Sequence, residues 1–165
     1  MSIVVGIDPG NKGAIVAISK MFTDVWDMPI LVTEGKGKTK KGNVKKHIVL
    51  DEHKVRDIFL ELMDMGAIEN VFIEKAQSMP GQGAPATFNY AASYGIIRGI
   101  CVGLQIPYTL VHPATWRKSL MKDMDKGKDA SIVRAKQLFP MANIGTKDGR
   151  AEALLIAFYG KKELL

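Results

Sequence analysis

Read for its apolar and polar positions, the chain opens on a short, almost wholly apolar run. Residues 2–8 set Ile3, Val4, Val5 and Ile7 nearly in a row and end on Asp8. A run of that length, rich in β-branched residues, predicts a buried strand. Pro9, Gly10 and Gly13 follow as a tight turn, and residues 13–19 read as a second strand. Residues 22–28 give a third. Three short strands on tight connections predict an antiparallel meander. After Pro29 the pattern lapses, and the segment 35–47 reads as a loop. A loop that long in a compact domain is either functional or mobile.

Helical spacing begins at Val55 and runs through Ile58, Phe59, Leu62 and Met63, with Asp51 as N-cap and Gly66 as the stop. Residues 70–74, "NVFIE", are again a strand that ends in a carboxylate, here Glu74. A Pro/Gly loop over 76–85 leads into a helix over 86–104 that is apolar nearly all round. Such a helix is covered on two sides. One cover is the sheet; the other is the equivalent helix of a second subunit or another helix of the same chain. A strand follows over 107–112, then a short helix over 114–121 carrying Trp116, Arg117 and Lys118. Further helices are predicted over 127–139 and from about 150 to 161. The order β-β-β-α-β-α-β-α-α-α predicts an α/β fold, a mixed sheet with helices on its faces.

Length and charge refine this picture. A chain of 165 residues, 47% hydrophobic, fits a single domain over 1–165 with one core. Cys101 is the sole cysteine, so no internal disulfide forms. No segment reaches the roughly 18 continuous apolar residues of a membrane span, and the start lacks a basic leader pattern. The expectation is a cytoplasmic protein without membrane contact. The net charge is +6, and Lys36, Lys38, Lys40, Lys41, Lys45 and Lys46 all lie in the acid-free segment 35–47. The rest of the chain is therefore neutral. A local basic insertion suits a polyanion, because phosphate binding releases condensed counterions. A merely solvated loop is the other reading.

The acids carry the chemistry. Asp8 and Glu74 each end a strand, and a β-α-β crossover would set those strands side by side and parallel. Asp148 and Glu152 are four apart, so a helix puts them on one face. Each has an ordinary alternative: a turn former at Asp8, a surface charge at Glu74, a helix cap at Asp148, a pair with Arg150 or Lys147 at Glu152. Together they form a cluster that repels itself unless cations hold it. Oxygen ligands without thiolates favour Mg²⁺, with Mn²⁺ as a substitute. Two such ions about 4 Å apart clamp a phosphodiester, one activating water and the other steadying the leaving oxygen. His47, His53 and His112 show no metal-binding spacing.

The stretches "GIDPGNKGAIVAI", "VFIEKAQ", "IPYTLVHPATWRKSL" and "DGRAEALLIAFYG" occur in that order over most of the chain. In this the chain resembles the RuvC-like resolvases, in the phage-type branch of the RNase H-like superfamily. The resemblance implies an RNase H-like fold: a five-stranded mixed sheet, antiparallel meander plus parallel strands, flanked by helices. It implies a homodimeric, Mg²⁺-dependent endonuclease for branched DNA, Holliday junctions above all and forks besides. Two active sites would cut opposing strands and leave 5′-phosphate and 3′-hydroxyl ends. A phage-encoded member would work in the host cytoplasm. The family's metal-holding acids fall on Asp8, Glu74 and Glu152, with Asp148 assisting, and its basic residue after the fifth strand resembles Lys118. Arg117 and the six lysines of the loop would grip DNA, and the 86–104 helix would contribute the dimer contact.

Two departures from the pattern stand out. Bacterial members space the final acids three apart, against four here. They also carry an aromatic residue just after the fourth-strand acid, where this chain offers only Gln77 or Met79. Other functions fit less well. Actin-like sugar kinases share the "GIDxG" opening but need two such domains around a nucleotide. A DNA-binding module without metals would gain by shedding acids near phosphate. A related RNA-processing or low-specificity nuclease stays open, because recognition of a 2′-hydroxyl leaves no short sequence signature.

Overall fold

The computed structural model describes residues 1–38, 42–77, 83–124, 127 and 129–164. Its first strand, β1 (Ser2–Asp8), is the apolar run read above, buried from Ile3 to Ile7. β2 (Ala14–Ile18) returns antiparallel beside it, and β3 (Thr23–Asp27) pairs antiparallel with β2. After α1 (Glu52–Met65), β6 (Ala67–Glu74) lies parallel to β1, and β7 (Tyr108–Val111) lies parallel to β6. The sheet order is β3-β2-β1-β6-β7, a five-stranded mixed sheet.

Alternation along the strands sorts the core into two layers. Ile3, Val5 and Ile7 face α1 and α2 (Ala84–Gly103). Val4, Val16 and Phe72 face α3 (Pro113–Leu120), α4 (Ala130–Leu138) and α5 (Asp148–Glu163). α5 lies hard against β1: a Cβ on Gly6 would stand 2.3 Å from the Ala153 carbonyl oxygen. Helix α1 is capped as its sequence demands. Asp51 accepts from the Lys54 N–H at 3.1 Å, and the Gly66 N–H returns to the Leu62 carbonyl.

The lysine segment corrects the sequence reading. It is not a loop but a second, two-stranded sheet, β4 (Ile30–Lys38) against β5 (Val44–Leu50). Leu31 pairs with Val49, Val32 with Ile48 and Glu34 with Lys46. Cross-strand apolar and opposite-charge pairs of this kind stabilise a ribbon. The apolar pairs lie at its base and the basic residues toward its tip. Lys36, Lys45 and Lys46 are exposed on the strands, and Lys38 ends β4. Lys40, Lys41 and Met79 lie outside the described residues.

Helix starts also shift. α2 begins at Ala84, and α5 begins at Asp148 rather than near Arg150. Lys147 is the residue at the N-cap of α5, so Asp148 does not cap it but sits in its first turn, where an acid suits the helix dipole. Among the described residues, no helix is long and apolar enough to cross a membrane.

Candidate active site

The register of β1 on β6 sets Ile7 level with Ile73. The next residues, Asp8 and Glu74, therefore stand side by side at one end of the sheet. Each falls in the alternation with Val4 and Phe72, on the face that α3 and α5 cover. α5 brings the third acid. A Cβ on Gly149 would meet the Lys12 carbonyl oxygen at 2.1 Å, so glycine alone lets the helix start descend on the turn after Asp8. That approach carries Glu152 toward Asp8. A cleft of about 600 Å³ opens there, lined by Asp8, Lys12, Asp27, Lys147, Asp148 and Glu152 among others.

Burial raises the Asp8 carboxyl to about 6. The Gly10 N–H, which donates to its Oδ1 at 3.1 Å, opposes the rise; the charge of Glu152 adds to it, and Arg117 offsets part. Burial likewise raises Glu74 to about 7. There the indole N–H of Trp116, donating to Oε2 at 2.8 Å, works against the rise, while Asp8 and Glu152 reinforce it. Glu152 accepts at Oε1 from the Arg117 guanidinium and, at 3.3 Å, from the Ser131 hydroxyl. The Arg117 guanidinium lies 4.5 Å from the centre of the Trp116 ring.

The anticipated positions fall into groups. Asp8, Glu74 and Glu152 come together. Asp148 is exposed at the rim of the cleft, on the side of Glu152. Lys118 is exposed on α3, about 100° around the helix from Arg117. The α3 cation bonded to a site carboxylate is Arg117. Lys147 and Arg150, considered above as partners of Glu152, instead hold Asp27, with bonds of 2.5 Å from Lys147 and 2.6 and 2.9 Å from Arg150. The Gln77 amide contacts the His112 ring.

Three neighbours had no assigned role in the sequence. Trp116 is wholly buried against Glu74. Ser131 reaches Glu152 from α4. Tyr90, on α2, is near enough to the acids that Asp8, Glu74 and Glu152 each push its hydroxyl pKa upward, after burial as the main cause. No short motif marks these three, because each acts across a long separation in sequence.

The donor set is oxygen only, mostly buried and only partly neutralised, which suits a hard divalent cation. As placed, however, no group of three acidic, histidine or cysteine side chains among the described residues is arranged to hold an ion. One oxygen of Glu74 is taken by Trp116, and Glu152 is turned to Arg117 and Ser131. Asp8 and Glu74 are the two acids of this cluster that no cationic side chain among the described residues holds, whereas Arg117 holds Glu152.

No family model matches the chain. It is 30% identical over 146 residues to "Holliday junction resolvase MOC1, chloroplastic" of Chlamydomonas reinhardtii, an alignment covering 81% of this chain. The chain spans only 17% of that relative's length. Among solved structures, Thermus thermophilus RuvC in complex with a Holliday junction substrate superposes with a TM-score of 0.61 at 12% identity. That match covers 96% of this chain and 92% of the other. The yeast mitochondrial Holliday junction resolvase Ydc2 gives 0.51 at 13% identity, over 94% of this chain and 76% of its own. The five-stranded mixed sheet and its flanking helices thus agree with these matches, and the chain shares the fold of these RuvC-like resolvases.

Proposed function

We propose that the protein is a divalent-metal-dependent endonuclease for branched DNA. One observation carries the reading: Asp8 and Glu74 lie together on parallel strands, raised to about 6 and about 7, with charge that the protein leaves largely uncompensated. The names of the relative and of both matched structures supply the substrate class. Asp8, Glu74 and Glu152 would hold Mg²⁺ or Mn²⁺, with Asp148 at the rim as an auxiliary ligand. Such a pair of ions supplies an activated water and a counter-charge for the leaving oxygen.

The chain's own groups do the rest. Asp8, on a buried strand, is a rigid mount. The Pro9-Gly10 turn carries the backbone away and leaves the cleft open to a phosphate. Arg117 is half exposed and free to exchange Glu152 for a phosphate oxygen, and Lys118 would meet the backbone beyond it. The basic ribbon would grip a duplex arm through Lys36, Lys38, Lys40, Lys41, Lys45 and Lys46, without reading sequence. Cleavage would leave 5′-phosphate and 3′-hydroxyl ends. Two sites for two strands call for a homodimer. The exposed faces of Gly95, Gly99 and Gly103 on α2 support that, since a Cβ on any of them would meet nothing within 4 Å.

The test offers a four-way junction, a fork, a linear duplex and an RNA/DNA hybrid to the protein, with Mg²⁺ or with EDTA. Metal-dependent cutting confined to the branched substrates is expected. Cutting in EDTA would end the metal mechanism, and equal cutting of all four would reduce the activity to that of a general nuclease.

A further inference from the structure

We propose that Trp116 is a positioning residue that holds Glu74 as a one-oxygen ligand for the divalent ions. The inference rests on the nuclease reading and goes beyond it, because no motif gives Trp116 a role.

Trp116 is wholly buried, and its ring shares a core with Val111, Leu120 and Ile132. Helix α3 is started by His112 and Pro113, with the His112 ring accepting from the Ala114 N–H at 3.3 Å. Close packing on all sides restrains the indole. Its N–H can only donate, and it has one hydrogen to give. That hydrogen goes to Glu74 Oε2 at 2.8 Å, from a residue 42 positions away in sequence. The bond fixes the plane of the carboxylate. It engages one lone pair of Oε2, while Oε1 accepts no bond from the described residues and is the oxygen better placed for a cation.

The choice of donor has a physical logic. A lysine or arginine in this place would neutralise Glu74 and compete with the metal. An apolar residue would let the carboxylate rotate and would leave a buried oxygen unsatisfied. A neutral donor orients the acid and keeps its charge. The indole face does a second job, since Arg117 rests on it 4.5 Å from the ring centre while holding Glu152. One buried side chain therefore sets Glu74 directly and Glu152 through Arg117.

The experiment measures Mn²⁺ affinity of the full chain by electron paramagnetic resonance, without DNA and without turnover. It compares wild type, Trp116→Phe, Glu74→Ala and the double variant. Outer partners of metal ligands typically contribute 10–100-fold in affinity. Trp116→Phe is expected to weaken Mn²⁺ binding about tenfold, at the low end of that range. In the Glu74→Ala background the same change is expected to add nothing, because Trp116 acts through Glu74. Binding by Trp116→Phe within twofold of wild type overturns the inference and leaves the nuclease reading intact. So does an equal loss in the Glu74→Ala background, the mark of a merely structural role. Absence of Mn²⁺ binding by wild type overturns the nuclease reading itself. Should Trp116→Phe fail to fold, benzothienylalanine replaces tryptophan in a Trp26→Phe chain. This analogue keeps the shape and lacks the N–H, and the same tenfold loss is expected of it.

Discussion

Asp8 and Asp27 make an instructive pair. Both end strands of one sheet, and both are paired in register with the same residue, Ala14, from opposite sides. Both line the same cleft. Yet one carboxyl is raised to about 6 and the other lowered to about 2. Asp27 sits at the edge strand, half exposed, and α5 delivers Arg150 and Lys147 to it. The hydrogen bond from Arg150 is the main cause of its lowering. Asp8 sits at a central strand, buried, where the neighbouring element α5 delivers another acid. The pairing of Asp27 fastens β3 to the start of α5. The lack of pairing at Asp8 leaves a charge for something else to balance. A carboxylate at a strand end is thus structural or chemical according to what the next layer brings to it.

The largest test of this contrast is cleavage. Asp8→Asn is expected to lower Mg²⁺-dependent junction cutting by at least about 10²–10³-fold, on the scale of losing one transition-state partner. Asp27→Asn should stay within about tenfold of wild type, since its carboxylate is already paired with Arg150 and Lys147. Equal losses, read from initial rates on a four-way junction, would erase the distinction.

Stability in the absence of metal should move in opposite directions. Asp8 titrates at about 6 when folded and near 3.8 when unfolded, so the folded chain holds the proton longer. Above pH 6 the buried charge opposes folding; below 3.8 both states are protonated and the penalty is gone. Asn keeps the acceptor for Gly10. Asp8→Asn should therefore stabilise the protein at pH 8 by up to about 3 kcal/mol, and by almost nothing at pH 3. Asp27→Asn should instead destabilise it at pH 8, by no more than about 1 kcal/mol because the ion pairs are exposed. Urea titrations at the two pH values supply the comparison.

Arg117 offers a finer probe, since it lowers both Asp8 and Glu74. Arg117→Gln should move both carboxyl titrations upward in carbon-13 NMR and leave Asp27 in place. The smallest expected effect belongs to the double change Lys147→Gln and Arg150→Gln. Asp27 should then climb from about 2 toward its ordinary 3.8, while Asp8, whose causes do not include these cations, stays put. A parallel rise at Asp8 would mean that the two acids share one field.

Much of the frame was legible in the chain. β1 was read from residue 2 to 8 as found, because a central strand buried on both faces shows as an unbroken apolar run. The Asp51 cap and the Gly66 stop were legible because both are local bonds. The β4–β5 ribbon was not. It stands outside the main sheet and buries neither face along most of its length, so nothing imposed alternation on its lysines and glycines. The start of α5 was misjudged because Lys147 provides no side-chain cap to announce it.

Asp8 and Glu74 carry the same signal in sequence, an acid that closes an apolar strand; Asp27 lies within the segment 22–28 and carries none. The chain by itself determined the strands, their connections and the fact that carboxylates would sit at their ends, since those follow from local spacing and short turns. Only the tertiary structure decided which carboxylates meet each other and which meet cations. That choice depends on α3 and α5, which bring Trp116, Arg117, Glu152 and Arg150 across dozens of residues. Electrostatic energy depends on distance in space and on burial, and neither is written in the spacing along the chain.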